Sequence, residues 1–302
     1  MGSGGVGGYF GGRLQQGGAD VSFIARGRHL AALREKGLTI TSPHGDARLK
    51  VKAFEQPGEA GPVDLVLFGV KLWDTDGACE QLKPAMRGGA AIIPFQNGVE
   101  SIDRLRRFFP KEQVLGGSAY IASRISAPGT IEHIGQMARL QFGVLLDEQK
   151  PLAESFLALC RKSNINAEIS GDIVRTIWEK FVFLVALSTA TAATRQPAGV
   201  VRADADMRWL LEQAMRETWQ VGRARGVKLS DDFIEQRMQY LDTLPAEMKA
   251  SMAHDLDAGN RIEAPWLCGA VARMAREADF EAPVNRTVYA ALRPYVDGKA
   301  RS

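Results

Sequence analysis

Three groups of residues in this sequence have the types and spacing that chemistry needs. The first is Gly2, Gly4 and Gly7, in the order G-x-G-x-x-G within Met1-Gly-Ser-Gly-Gly-Val-Gly-Gly. In a dinucleotide-binding fold the first glycine permits a tight turn and the second lets a pyrophosphate approach the backbone. The third lets the following helix pack closely, with its positive N-terminus facing the phosphates. The second group centres on Lys180, whose neighbours at helical spacing, Ile173, Ile177 and Leu184, are apolar. A lysine on such a face either snorkels its ammonium to water or holds a charge where it matters. The third is Ser251, Asp255 and Glu263, which at spacings of four and eight share one broad face of a helix. His254, Asp255 and Asp257 have no recognised ligand spacing, so no metal is expected.

Alone, the glycine pattern fits a flexible tail as well as a nucleotide loop. Its context favours the loop. Val6, Phe10 and Leu14 recur at helical spacing, and Gly17-Gly18 can end that helix. Asp20–Ala25 then reads as a strand running into Arg26-Gly-Arg28. A NAD-preferring fold places a carboxylate there for the ribose 2′-hydroxyl, whereas a guanidinium suits a 2′-phosphate, so NADP(H) is the expected cofactor and Arg26 its ligand. The plain alternative is that the arginines cap a loop. One element is missing. The motif should follow a strand of about five apolar residues, but only Met1 precedes Gly2. The first strand is therefore expected to be absent, through a late start or a shortened chain.

Downstream, the pattern predicts a helix over Leu30–Lys36 and strands at Leu38–Thr41 and Ala47–Val51. Val63–Val70 and Ala90–Phe95 are near-continuous apolar runs, the mark of parallel strands buried on both faces. They end in Lys71 and in Gln96-Asn97-Gly98. Carboxyl ends of parallel strands border the ligand crevice of open sheets, which makes Lys71 and Asn97 site candidates; a solvated lysine and a turn-forming Asn-Gly are the bland readings. Alternating strands with turns at Ala127-Pro128-Gly129 and Ile134-Gly135 follow, then a helix over Lys150–Lys162 and an extended piece at Asn166–Ile169. From Asp172 onward only helical patterns appear, over 172–194, 203–225, 231–242, 246–278 and 284–296. The fold class is α/β, an N-terminal Rossmann-type domain over 1–170 followed by an all-α C-terminal domain over 171–302.

Composition excludes several classes. The 302 residues are 45% hydrophobic and 24% charged, with a net charge of +3 and no dense basic run, which argues against nucleic acid as a partner. The longest uncharged apolar stretch, Phe181–Ala193, is too short to span a bilayer. Three widely spaced cysteines suggest neither a disulfide framework nor a zinc site, and a cytoplasmic setting fits.

Taken together, these residues resemble the ketopantoate reductase (2-dehydropantoate 2-reductase) family along nearly the whole chain. The marks are the glycine run, Phe-Ile-Ala-Arg26-Gly, Val-Lys71, Gln-Asn97-Gly, Trp-Glu-Lys180-Phe, Ser251-Met…Asp255…Glu263 and Pro283-Val-Asn-Arg. The resemblance implies NADPH-dependent reduction of a 2-keto acid in a cleft between the two domains. It implies that Gly2, Gly4, Gly5, Val6, Gly7, Arg26, Lys71, Asn97 and Glu263 contact the cofactor. Lys180 would protonate the forming alkoxide or polarise the ketone, Glu263 would hold a substrate hydroxyl, and Asn97 and Ser251 would bind substrate. A homodimer is a candidate assembly.

The chain departs from the family where asparagines usually follow the lysine by four and eight residues; it has Leu184 and Ser188 there. Losing two amides should weaken binding of a small polyhydroxylated keto acid and favour a more apolar one. The leading expectation is reduction of 2-dehydropantoate to pantoate. The alternatives are a reductase of a related, more apolar keto compound, or a non-catalytic NADP(H)-binding sensor.

Overall fold

A computed structural model describes residues 1–299. The chain divides into two compact units, Met1–Thr176 and Ile177–Ser302. The division falls in the first turn of one long helix.

The first unit opens with helix α1 (Gly5–Gln16), whose N-cap is Gly4 and whose C-cap is Gly17. Five glycines in twelve residues cost roughly 1 kcal/mol each in intrinsic helix preference, so packing must hold this helix. It does so by closeness. A Cβ at Gly8 would meet Ile131 at 2.8 Å, one at Gly11 would meet Phe23 at 2.9 Å, and one at Gly12 would meet Ile40 at 2.6 Å. Strand β1 (Ser22–Ile24) and helix α2 (Gly27–Lys36) follow, then β2 (Leu38–Thr41), β3 (Ala47–Leu49) and β4 (Lys52–Phe54). Strand β5 (Leu65–Phe68), helix α3 (Thr75–Leu82), strand β6 (Ala91–Pro94) and helix α4 (Ser101–Leu105) complete the nucleotide-fold half. The unit closes with the long hairpin β7 (Gly116–Ala127) and β8 (Thr130–Gly143), helix α5 (Lys150–Lys162) and β9 (Asn166–Ile169).

Strand pairing is parallel in β1–β4 and β5–β6, which form two separate two-stranded sheets. No strand forms ahead of α1 among the described residues, and Met1–Ser3 instead bridges the two pairs. The Met1 amino group donates to Leu67 O (2.8 Å), Met1 O accepts from Gly69 N (2.9 Å), and Ser3 N donates to Ile24 O (3.1 Å). Burial pushes that amino group down from 8.0 to about 5. The third sheet runs β3-β2-β8-β7, with β9 also on β8.

Extended structure was expected to run from Ala47 to Val51, but β3 stops at Leu49 and β4 starts at Lys52, pairing with β1 instead of β2. The turn expected at Ile134-Gly135 is a bulge within β8: the register steps from Ile121 opposite Ala138 to Ala122 opposite Ile134. Gly135, at φ +73°, supplies the left-handed residue that such a bulge needs.

The second unit is helical: α6 (Ile173–Thr194, begun in the first unit), α7 (Ala198–Ala203), α8 (Ala205–Ala224), α9 (Phe233–Thr243), α10 (Ser251–Asp257), α11 (Cys268–Glu277) and α12 (Pro283–Leu292). Its core includes Val185, Leu211, Met215, Val221, Leu241 and Val271, all fully buried. The helix expected to start at 203 begins at 205, because Asp204 caps α8 by accepting from Met207 N at 2.9 Å. The single helix expected over 246–278 does not exist. Gly259, at φ +69°, lets the chain turn back so that Asn260 N donates to Asp255 O, and a short 3-10 turn, Ala264–Trp266, follows with Pro265 within it.

Candidate active site

The glycine motif meets the steric demands made of it one residue at a time. Gly2 takes φ +84°, and a Cβ there would press on Val70 N at 2.8 Å. At Gly7 a Cβ would strike Gly2 O at 2.2 Å, so Gly7 makes room for the turn that Gly2 forms. Around Gly4 there is open space within 4 Å, as a backbone approached by a ligand requires. Gly5 packs so closely on β7 that a Cβ would lie 2.4 Å from Ser123 O. The first N–H groups of α1 have no helical acceptor and collect at this loop, which suits an anion. A small cavity beside the loop is lined by Val6, Gly7, Phe10, Leu67, Gly69 and Phe95.

Arg26 stands at the end of β1 as the N-cap of α2. Its guanidinium is exposed and pairs at 2.9 Å with Asp74, which follows β5. Lys71, also past β5, places its ammonium 5.5 Å from the centre of the Trp73 ring. Asn97 is half-buried beyond β6. Gln96, whose side chain is buried, holds these loops together: its amide donates to Val70 O and to Thr75 Oγ1, both at 2.9 Å, and its carbonyl accepts from Ser101 Oγ at 3.0 Å. Neither Asp74 nor Gln96 was singled out as a site residue from the sequence. A polar residue directly after an apolar strand was the available signal for Gln96.

In the second unit, Lys180 lies on α6. Its side chain as a whole is only partly buried, but protein atoms crowd the ammonium. Desolvation therefore pushes its pKa from 10.5 down to about 8, against the opposing pull of Glu263. Glu263 is buried, at 6% exposure, and opens the 3-10 turn Ala264–Trp266. It is not on the helix that carries Ser251 and Asp255, so the shared helical face expected for the three is replaced by a turn that carries the glutamate separately. Ser251 is exposed at the start of α10. Leu184 is half-buried one turn past Lys180, whereas Ser188 is completely buried and its hydroxyl has no hydrogen-bond partner among the described residues. Asn285 of the Pro-Val-Asn-Arg run is structural. With Val284 it donates to the Glu217 carboxylate, anchoring α12 on α8.

A Rossmann-type loop followed by a helical unit bearing a lysine near a buried glutamate fits a pyridine-nucleotide-dependent oxidoreductase, the class to which the relatives below belong. Comparison with known proteins narrows the class. The family model described as Ketopantoate reductase PanE/ApbA matches residues 1–147, and its C-terminal counterpart matches residues 172–296. The chain belongs to the ketopantoate reductase family. It is 33% identical over 301 residues to the uncharacterized oxidoreductase YkpB of Bacillus subtilis, covering 98% of this chain and 97% of that one. It is 29% identical to the 2-dehydropantoate 2-reductase of Halobacterium salinarum, covering 95% of each. The PanE/ApbA family ketopantoate reductase from Ralstonia eutropha superimposes with a TM-score of 0.89 at 31% identity, covering 98% of this chain and 97% of that one. Among the described residues no helix is long and apolar enough to cross a membrane, and no cluster of three or more His, Cys, Asp or Glu could hold a metal ion.

Proposed function

We propose that this chain reduces 2-dehydropantoate to pantoate with NADPH, in the synthesis of pantothenate, and does so in the cytoplasm as a homodimer. Membership of the family supports reduction of a 2-keto acid. The observation that carries the mechanism is the Lys180 ammonium, held near pKa 8 beside the buried Glu263.

The loop fits a dinucleotide because Gly4 is open where Gly2 and Gly7 are closed. Gly5 and Val6 would present backbone N–H groups to the pyrophosphate, Arg26 would reach the 2′-phosphate, and Lys71 and Asn97 would border the nicotinamide half. A bound reduced nicotinamide supplies the hydride. Negative charge then grows on the substrate oxygen, and Lys180 neutralises it and releases its proton to that oxygen. A lysine near pKa 8 is mostly charged at neutral pH yet is a stronger acid than a solvated one. Glu263 would accept a hydrogen bond from a substrate hydroxyl and orient the ammonium, while Ser251 would add a contact to substrate.

A second reading has its own observation. Leu184 offers an alkyl surface one turn from Lys180, and the Ser188 hydroxyl is shut away from solvent. That wall suits a keto acid with an apolar side chain. The test is consumption of NADPH in the presence of 2-dehydropantoate, beside a panel of 2-keto acids with larger alkyl or aryl groups. A higher kcat/KM for 2-dehydropantoate supports the first reading, and a higher value for a panel member supports the second. Binding without turnover of any of them would leave a nucleotide sensor.

A further inference from the structure

Outside the residues assigned above, one ionisable side chain is tied directly into the glycine motif. His29, half-buried on α2, contacts backbone with both ring nitrogens. Nδ1 lies 3.0 Å from the backbone N–H of Gly129, in the β7–β8 turn, and Nε2 lies 2.9 Å from Ser3 O, inside the motif. A backbone N–H can only donate, so Nδ1 must be the acceptor. That leaves the proton on Nε2, which donates to Ser3 O.

Both ends of this link are themselves fixed. Ser3 is buried, and its N–H and hydroxyl both donate to Ile24 O, at 3.1 and 3.0 Å. Gly129 takes φ +79°, accepts from Thr39 N at 2.9 Å, and would meet Ala32 at 3.1 Å if it carried a Cβ. The same hairpin touches the loop where Gly5 meets Ser123.

We propose that His29 is a positioning residue for the nucleotide loop: its neutral imidazole pins Ser3 to the hairpin turn, and its protonation frees the loop and weakens nucleotide binding. This rests on the reading that the loop binds a pyridine nucleotide. An imidazolium has two donors and no acceptor, so the Gly129 N–H would face another N–H, and that link would be lost. Desolvation already lowers the His29 pKa below 6.5, against the smaller raising effect of the Ser3 carbonyl, so the neutral form prevails at neutral pH. The charged side chains on the elements packed around it are mostly engaged elsewhere, Arg34 of α2 by Ala53 O and Glu59 and Lys52 of β4 by Asp20. Arg26 is held by Asp74, Arg124 by Glu132, and Arg13 of α1 by Gln16 and Gly45 O, while Arg28 is exposed.

The test measures Kd for NADPH and for NADH on the full chain, from about pH 8 down to about pH 5. It compares wild type with His29→Gln, whose amide offers one donor and one acceptor without titrating, and with His29→Ala. A 2′-phosphate itself titrates near pH ~6, so the glutamine variant and the NADH series separate the two effects. We expect wild-type affinity for both nucleotides to fall about tenfold below the His29 pKa. His29→Gln should keep neutral-pH affinity and lose most of the NADH pH dependence, leaving only what the Met1 amino group contributes as it titrates near 5, and His29→Ala should bind about tenfold more weakly throughout. By linkage, nucleotide should also lower the ring pKa of His29 read by NMR. Matching pH profiles for wild type and His29→Gln, or a ring pKa raised by nucleotide, would overturn the proposal. Failure of the wild type to bind either nucleotide at any pH would instead defeat the cofactor reading on which it rests.

Discussion

Arg26 and Asp74 form an ion pair 2.9 Å long between the N-cap of α2, just past β1, and the segment that follows β5. The guanidinium assigned to a 2′-phosphate is thus already facing a carboxylate. Both side chains retain contact with solvent, so the pair is weak and a phosphate can displace it. Asp74 would then lower the net gain from a 2′-phosphate by repulsion. Arg26→Ala should raise the KM for NADPH severalfold and leave that for NADH nearly unchanged. Asp74→Asn should do the reverse, tightening NADPH more than NADH. Paired KM measurements for the two nucleotides check this, and equal effects on both would remove Arg26 from 2′-phosphate recognition.

The glycine motif yields a stability prediction. Gly7→Ala puts a methyl 2.2 Å from Gly2 O, a contact with backbone that cannot swing away. It should cost about 1–3 kcal/mol by denaturant unfolding. Gly4→Ala, with open space around it, should unfold close to wild type apart from a small change in capping, yet bind nucleotide more weakly. Equal stability losses for the two would contradict the division of labour drawn between them.

How much of this was legible beforehand depends on the range of the signal. The α1 repeat, the parallel pairing of β5 with β6 and Lys180 on its apolar helix are local patterns that formed as expected, although only β6 is buried along its whole length and β5 alternates buried and half-buried residues. The resemblance extended this to the order of the two domains, and the family match bears it out. What escaped was non-local. Strand β4 joins β1 through a parallel pairing that no alternation announces. The break after α10 depends on a single left-handed glycine within an otherwise helical run. Asp74 and His29 matter through partners 48 and 26 residues away in sequence, Arg26 and Ser3, which no local window contains.

Restoring the family's two asparagines should have unequal effects. Leu184→Asn changes a half-buried position and should improve kcat/KM for 2-dehydropantoate relative to apolar keto acids. Ser188→Asn inserts volume into a completely buried position and should destabilise the helical unit by about 1–3 kcal/mol. Substrate kinetics on the first variant and unfolding on the second check the pair. No shift in preference with Leu184→Asn would mean that this side chain does not read the substrate.

Lys180 also links stability to pH. Its folded pKa of about 8 lies below the ordinary 10.5, so between these values the unfolded chain retains a proton that the folded chain has shed. Stability from this group therefore rises as pH increases through that window. Lys180→Met should flatten that rise, measured as the difference in unfolding free energy between the two proteins across the window.

The most direct test of Lys180 as proton donor is the pH profile of kcat/KM for keto acid reduction, measured on wild type and on Lys180→Ala with kcat and nucleotide binding followed in parallel. The proposed mechanism predicts that wild-type kcat/KM falls as pH rises through about 8, where the ammonium of the free enzyme is lost. It also predicts that the variant loses at least about a hundredfold in kcat while binding nucleotide normally. A wild-type profile flat across that range, with Lys180→Ala turning over at the wild-type rate, would contradict it.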